Sequence, residues 1–354
     1  MIEIVGGGLA AAKLVEGYRE AGGDQPIVIW SQDPHGPYHR PPLSKRLLRG
    51  EAEPADALAH PVEWYAEHDV DLRLGETVSS LDALTGDTIV LATGARPRHL
   101  DGTLPLRTLD DSLELRRRAA DASTAVVIGG GFIGCEVTAS LTQLGLKVTQ
   151  IVREPIVFAT LQAPPLSEAL QATAREHGVD LRLEESEIPK DADLTVAGIG
   201  VQPNVELAQD ARLEVRSGVV TTARFETSQP GVYAIGDVAE FYDPIFGRYR
   251  RIEHWSNAAY HGTTLGRILA GSDESYDTVS SFFSEQFGNS FKLFGDPQGH
   301  DSTTVEGDFS TGNAVLRFLT AGNAVGAVTM GADEETENGL KDEIRAGAAA
   351  VREV

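Results

Sequence analysis

Two hydrophobic periods run through the chain. Short apolar, partly β-branched runs at Ile2–Val5 and Ile27–Trp30 flank an Ala-rich stretch to about Ala21, an order that predicts strand, helix, strand. The same order returns with a strand at Ala125–Ile128, a helix, and a strand at Lys147–Val152. Two further apolar runs end in small residues: Ile89–Gly94 reads IVLATG and Val232–Val238 reads VYAIGDV, each predicting a buried strand that stops at a tight turn. From Tyr276 onward the pattern changes to alternation. Thr303–Asp308, Ala314–Leu319 and Ala324–Thr329 read as half-exposed antiparallel strands, and an acidic helix is predicted over Glu334–Arg352.

The two strand–helix junctions carry the first chemistry. Gly6, Gly8 and Ala11 stand in a G-x-G-x-x-A spacing; Gly129, Gly131 and Gly134, with Phe132 and Ile133 between the last two, give a full G-x-G-x-x-G. The first glycine permits the tight turn, the second lets the backbone approach a pyrophosphate, and the third small residue lets the helix pack closely on its strand. Unpaired N–H groups and the positive dipole end of each helix then face the phosphates. One such turn is weak evidence, but two βαβ units imply two dinucleotide sites. The economical assignment is FAD in the first and a nicotinamide nucleotide in the second.

Length, charge and cysteine content narrow the classes. At 354 residues the chain exceeds one ordinary core, so two or three domains are expected. The net charge of -23 argues against nucleic acid as a partner. The opening MIEIVGGG leaves no room for a secretory leader, and no run approaches the roughly 18 apolar residues of a membrane span, so a cytoplasmic protein without a membrane partner is expected. Cys135 is the one cysteine, which excludes an internal disulfide and a Cys-x-x-Cys electron shuttle. The nine histidines show no metal-ligand spacing, and no metal is expected.

With IVLATG and VYAIGDV in place, the sequence resembles the two-dinucleotide-binding flavoprotein reductases. PYHRPPLSK (Pro37–Lys45), GGGFIGCEV (Gly129–Val137), GIGVQPN (Gly198–Asn204), GDVAEF (Gly236–Phe241), EHWSNA (Glu253–Ala258) and SFFSEQF (Ser281–Phe287) narrow the resemblance to the oxygenase-coupled ferredoxin reductases. That family includes putidaredoxin reductase and the biphenyl dioxygenase reductase component, with apoptosis-inducing factor as a relative. The resemblance implies a glutathione-reductase-like α/β fold with two Rossmann-like domains and a C-terminal α+β domain. An FAD-binding domain is expected over 1–107 and 225–275, an NAD(P)H-binding domain over 108–224, and the α+β domain over 276–354. It assigns Gly6, Gly8, Ala11, Asp33, Arg40, Lys45, Val78, Ala92, Thr93, Gly94, Arg98, Gly236, Asp237, Glu253, His254 and Trp255 to FAD. To the nicotinamide nucleotide it assigns Gly129, Gly131, Phe132, Ile133, Gly134, Arg153 and Gly200.

In the implied mechanism, hydride passes from nicotinamide to flavin, and electrons then leave singly. Lys45 stands beside the reacting edge of the flavin, paired with Glu136, and Trp255 lines the site or the exit route. A fixed ammonium stabilises negative charge arriving on the ring, and the carboxylate keeps that lysine charged. With no dithiol in the chain the acceptor must be external: a 2Fe–2S ferredoxin first, a rubredoxin second. Arg40, Arg46 and Arg49, and again Arg248, Arg250 and Arg251, are expected to border the docking face. The rival readings are a reductase or oxidase of small acceptors such as oxygen or quinone, and a redox-sensing FAD-binding protein of the apoptosis-inducing-factor type. Oligomeric state, monomer or homodimer, is left open.

Three departures from the family pattern stand out. Val152 and Arg153 occupy the end of the second strand of the second βαβ unit, where an acidic residue normally meets the adenosine ribose; this favours NADPH over NADH. The segments between Gly75 and Ile89 and between Leu183 and Leu194 are too short for the hairpins that relatives carry. In SFFSEQF, Phe283 replaces the usual tryptophan.

Overall fold

The computed structural model describes residues 1–352. The chain divides into two compact units, one of Met1–His39, Pro54–Arg96 and Gln202–Thr278, the other of Arg40–Glu53, Pro97–Val201 and the segment from Val279 onward.

The first unit is organised by a five-stranded parallel sheet. The apolar run Ile2–Val5 is its central strand, between Ile27–Ser31 and Thr88–Leu91; Val70–Leu74 and Val232–Ala234 lie outermost. Every residue of the central strand is buried, Glu3 included. That carboxylate accepts from Trp30 Nε1 at 2.9 Å and from the backbone N–H groups of Thr85 and Gly86, each at 2.7 Å, so its burial leaves no acceptor unmet. The helix Leu9–Glu20 lies against the helix Trp255–Leu269 with almost no side chain between them. A Cβ on Gly262 would lie 2.3 Å from the Ala10 carbonyl oxygen, and one on Gly266 2.4 Å from that of Leu14. Only hydrogen fits at these positions, and the two backbones pack directly.

The second unit holds two sheets. A four-stranded parallel sheet runs in the order Asp180–Leu183, Lys147–Val152, Thr124–Ile128, Leu194–Ala197. A five-stranded antiparallel sheet runs in the order Ser281–Gln286, Asn289–Gly295, Asn323–Met330, Asn313–Thr320, Ser302–Asp308. Two corrections apply here. Of the three strands read as half-exposed, only Asn313–Thr320 alternates. Ser302–Asp308 is an edge strand exposed at every residue, whereas Asn323–Met330 is central and buried almost throughout. The helix Glu334–Arg352 packs on that strand so closely that a Cβ on Gly347 would meet the Ala324 carbonyl oxygen at 2.0 Å. The strand runs at IVLATG and VYAIGDV are also shorter than the motifs, ending at Leu91 and Ala234, because Gly94 and Gly236 adopt positive φ and turn the chain. As their lengths implied, the two shortened segments carry no hairpin: 76–87 holds only the 3-10 turn Leu81–Ala83, and 184–193 has no regular element.

Gly266→Ala is expected to lower stability by about 1–3 kcal/mol through overpacking, read as a fall in the urea midpoint at unchanged slope. Gly339→Ala, in the helix Glu334–Arg352 where a Cβ meets nothing within 4 Å, is expected to raise it by about 0.5–1 kcal/mol.

Candidate functional site

The two Gly-rich turns repeat one geometry, once in each unit. Gly6 and Gly129 have φ of +116° and +120°, and a Cβ on either would strike the carbonyl oxygen of the residue just past the neighbouring strand on the far side: Ala92 at 2.2 Å, Gly198 at 2.3 Å. Both turns therefore sit where a parallel sheet reverses its winding order, the place where such sheets bind ligands. Gly8 and Gly131 cap the following helices with nearly identical angles, φ −89°, ψ −174° and φ −88°, ψ −170°. Neither cap supplies a side-chain acceptor, and a Cβ at either position meets nothing within 4 Å. First-turn N–H groups thus face open space in which an anion fits. The third positions differ in size but not in role. Ala11 is fully buried, and Gly134 leaves no room for a Cβ, which would lie 2.2 Å from the Gly129 carbonyl.

Within the first unit the structure brings Gly6, Gly8, Ala11, Asp33, Val78, Ala92, Thr93, Gly94, Gly236, Asp237, Glu253, His254 and Trp255 into one body. Asp33 follows the second strand and accepts from Tyr38 Oη at 2.8 Å and from the His35 N–H at 3.1 Å. Val78 packs on the apolar cluster that contains Val5 and Leu91. Thr93 and Gly94 are latched by Asn204: Thr93 Oγ1 donates to the Asn204 carbonyl (2.8 Å), Asn204 Nδ2 donates to the Thr93 carbonyl (2.8 Å), and the Asn204 N–H donates to the Gly94 carbonyl (3.0 Å). GIGVQPN was a family marker in the sequence; its last residue holds the ATG turn in place, a contact that spacing alone does not reveal. The Gly236 N–H donates to Nδ1 of buried His261, at 3.2 Å, which fixes the turn presenting Asp237. Burial holds the His261 imidazole down to about 3, against the pull of Asp237, and His254 down to about 4, where Asp237 again opposes and Arg250 assists.

Trp255 is 39 % exposed, not buried, and its Nε1–H donates to His39 Nδ1 at 2.9 Å. The Glu253 carboxylate is engaged by Arg251. Three of the six arginines expected to border a docking face have carboxylate partners within their own unit. Arg250 is held at 2.7 Å by fully buried Asp243, Arg251 by Glu253, and Arg49 at 2.8 Å by Glu51.

Within the second unit lie Arg40, Lys45, Arg98, Glu136, Arg153, Gly200 and the second Gly-rich turn with Phe132 and Ile133. Lys45 and Glu136 meet at 2.6 Å, both buried. The Glu136 carboxylate also accepts from Ser44 Oγ at 2.5 Å and from Ser284 Oγ at 2.7 Å. The 3-10 turn Pro41–Ser44 that delivers Lys45 is pinned from two helices: Ser140 Oγ donates to the Ser44 carbonyl (2.6 Å) and Ser112 Oγ to the Leu43 carbonyl (2.7 Å). Pro41 and Pro42 open that turn and pre-set its backbone. Ser44, Ser112, Ser140 and Ser284 went unnoticed in the sequence because serine is common and carries no spacing of its own.

Val152 presses its side chain against the second Gly-rich turn, where a Cβ on Gly130 would lie 2.6 Å from it, and exposed Arg153 follows. The Arg98 N–H donates to the Gly200 carbonyl at 2.9 Å. Cys135 is buried against Gln150, and burial pushes its thiol up to about 12, which leaves it inert as a nucleophile.

A family model described as pyridine nucleotide-disulphide oxidoreductase matches residues 2–262. Putidaredoxin reductase of Pseudomonas putida is 32 % identical over 90 % of this chain and 85 % of its own length. Rubredoxin–NAD(+) reductase of Ectopseudomonas oleovorans is 30 % identical over 86 % and 89 % respectively. In the crystal structure of the covalent putidaredoxin reductase–putidaredoxin complex, a chain 31 % identical superposes with a TM-score of 0.91, covering 98 % of this chain and 93 % of that one.

Because the folded values of His254 and His261 lie below the ordinary imidazole range, the unfolded chain binds the extra protons first. Stability is therefore expected to be full above about pH 6.5 and to fall as pH drops through the folded values, by on the order of 1 kcal/mol per pH unit for each group. Urea unfolding at pH 7, 5.5 and 4.5 measures this, with His261→Gln flattening part of the slope; a flat profile in the wild type contradicts it.

Proposed function

The chain belongs to the pyridine nucleotide-disulphide oxidoreductase family, and on that premise we propose that it is an FAD-dependent reductase that takes electrons from NAD(P)H and passes them to a small external iron-containing carrier, a ferredoxin first and a rubredoxin second. One observation carries the reading: two matching dinucleotide cradles stand in a chain whose single thiol is buried and inert. Two cradles suit a flavin and a nicotinamide nucleotide, and the inert thiol leaves no internal dithiol as the next acceptor.

Bound FAD would supply the conversion of a two-electron donor into single electrons. The chain's own residues would do the rest. The uncapped helix starting at Leu9 would hold the FAD pyrophosphate, with Asp237 and the Asn204-latched Thr93–Gly94 turn beside it in the first unit. The Lys45 ammonium would stabilise negative charge on the reduced flavin ring, and Glu136 would keep that ammonium protonated in a buried site. The helix starting at Phe132 would hold the nicotinamide nucleotide. The finer reading, NADPH over NADH, rests on Val152 in place of an acidic residue and on exposed Arg153, a guanidinium suited to a 2′-phosphate.

Mixed anaerobically, the FAD-loaded protein is expected to lose its visible flavin band on adding NAD(P)H and to regain it on adding an oxidised 2Fe–2S ferredoxin. Arg153→Ala is expected to shift the NADPH-to-NADH preference about tenfold toward NADH, equivalent to about 1.4 kcal/mol. A wild type that already prefers NADH sinks the role given to Arg153, and bleaching by neither nucleotide sinks the reductase reading.

A further inference from the structure

The departure in SFFSEQF drew attention to Phe283, but the residue after it makes the contact that matters. Phe283 is 41 % exposed, with its ring centroid 5.9 Å from Lys45 Nζ. Ser284 is fully buried and donates to Glu136 Oε1 at 2.7 Å. Glu136 Oε2 carries the remaining load, taking Lys45 Nζ at 2.6 Å and Ser44 Oγ at 2.5 Å. The two carboxylate oxygens thus have separate duties, and Ser284 is the side-chain donor on the second. Among the described residues Lys45 has no comparably short anchor elsewhere. Its other contacts are long, 3.3 Å to the Pro41 carbonyl and 3.4 Å to Ser44 Oγ. The direction of the ammonium therefore follows the plane of the Glu136 carboxylate. Ser44 cannot take over from Ser284, because Ser112 and Ser140 hold its turn from behind.

We propose that Ser284 is a positioning residue for the Lys45–Glu136 pair, so that the antiparallel sheet of the second unit, through the strand Ser281–Gln286, takes part in setting the electron-accepting power of the flavin. The last clause rests on the reading of Lys45 given above. Without the Ser284 hydroxyl, Glu136 Oε1 is a buried acceptor with no side-chain donor. The carboxylate relieves this by rotating to share the lysine between its oxygens or by admitting water, and in either case the ammonium loses its single orientation.

The test uses the FAD-loaded protein with Ser284→Ala, Ser284→Thr and Lys45→Met. Two quantities are read: water exchange of the Lys45 ammonium protons by NMR of lysine-labelled protein, and the midpoint potential of the flavin. In Ser284→Ala, faster ammonium exchange, a more negative potential and about tenfold slower anaerobic bleaching are expected. Ser284→Thr, which keeps the hydroxyl, is expected to restore all three. If Ser284→Ala leaves exchange and potential at wild-type values, even with reduced stability, Ser284 only fills space and the proposal is overturned. If exchange changes but the potential moves neither in Ser284→Ala nor in Lys45→Met, the flavin reading fails while the hold of Ser284 on the pair stands.

Discussion

Lys45 and Glu136 lie 2.6 Å apart with 8 % and 5 % of their surfaces exposed, and removing two charges from water costs several kcal/mol per ion before their attraction returns any of it. Much of the second unit is arranged around meeting that cost. Ser44 and Ser284 satisfy the carboxylate, Ser112 and Ser140 fix the turn that carries the lysine, and two consecutive prolines pre-form the turn. For stability alone, an apolar pair of similar volume would serve as well or better. On the reading proposed above, the charge is kept because it stabilises negative charge arriving on a bound flavin, which a methyl group does not.

The second constraint is steric. In each unit the first glycine of the turn faces a carbonyl oxygen across the point where the sheet reverses, and the second glycine opens onto empty space at an uncapped helix start. Crowding behind and vacancy in front are what a backbone needs to reach a pyrophosphate. Their recurrence to within a few degrees and tenths of an ångström marks two sites of one kind rather than one site and one ordinary turn.

Much of this was legible in the sequence where a residue type is forced by geometry. Gly6, Gly8, Gly129, Gly131 and Gly134 stand where a Cβ either clashes or would fill the cradle, so spacing alone located both turns. The run Ile2–Val5 read as a strand, and the structure makes it the buried central one. What stayed illegible depends on contacts distant in sequence between common residues. Ser284 meets Glu136 across 148 positions, Asn204 meets Thr93 across 111, and Trp255 meets His39 across 216; no local pattern announces such pairs. Strand exposure failed for a similar reason. Ser302–Asp308 carries Glu306 and Asp308 whereas Asn323–Met330 is rich in Ala and Val with no charge, and the period-2 reading passed over that difference, which matches an exposed edge and a buried centre. The ion pairs of Arg250 with Asp243, Arg251 with Glu253 and Arg49 with Glu51 were likewise illegible, because a sequence shows charge and not its partner.

The central claim is that the buried lysine acts on the flavin and does not merely fill the fold. Anaerobic stopped-flow bleaching of the FAD-loaded Lys45→Met variant by NADPH and by NADH tests it most directly, with flavin content measured on the same sample. A loss of about 100-fold in rate at unchanged flavin content is predicted, the scale expected when one preorganised charge at a developing anion is removed. A variant that retains its flavin and bleaches at the wild-type rate would contradict the account and reduce the Lys45–Glu136 pair to a structural ion pair.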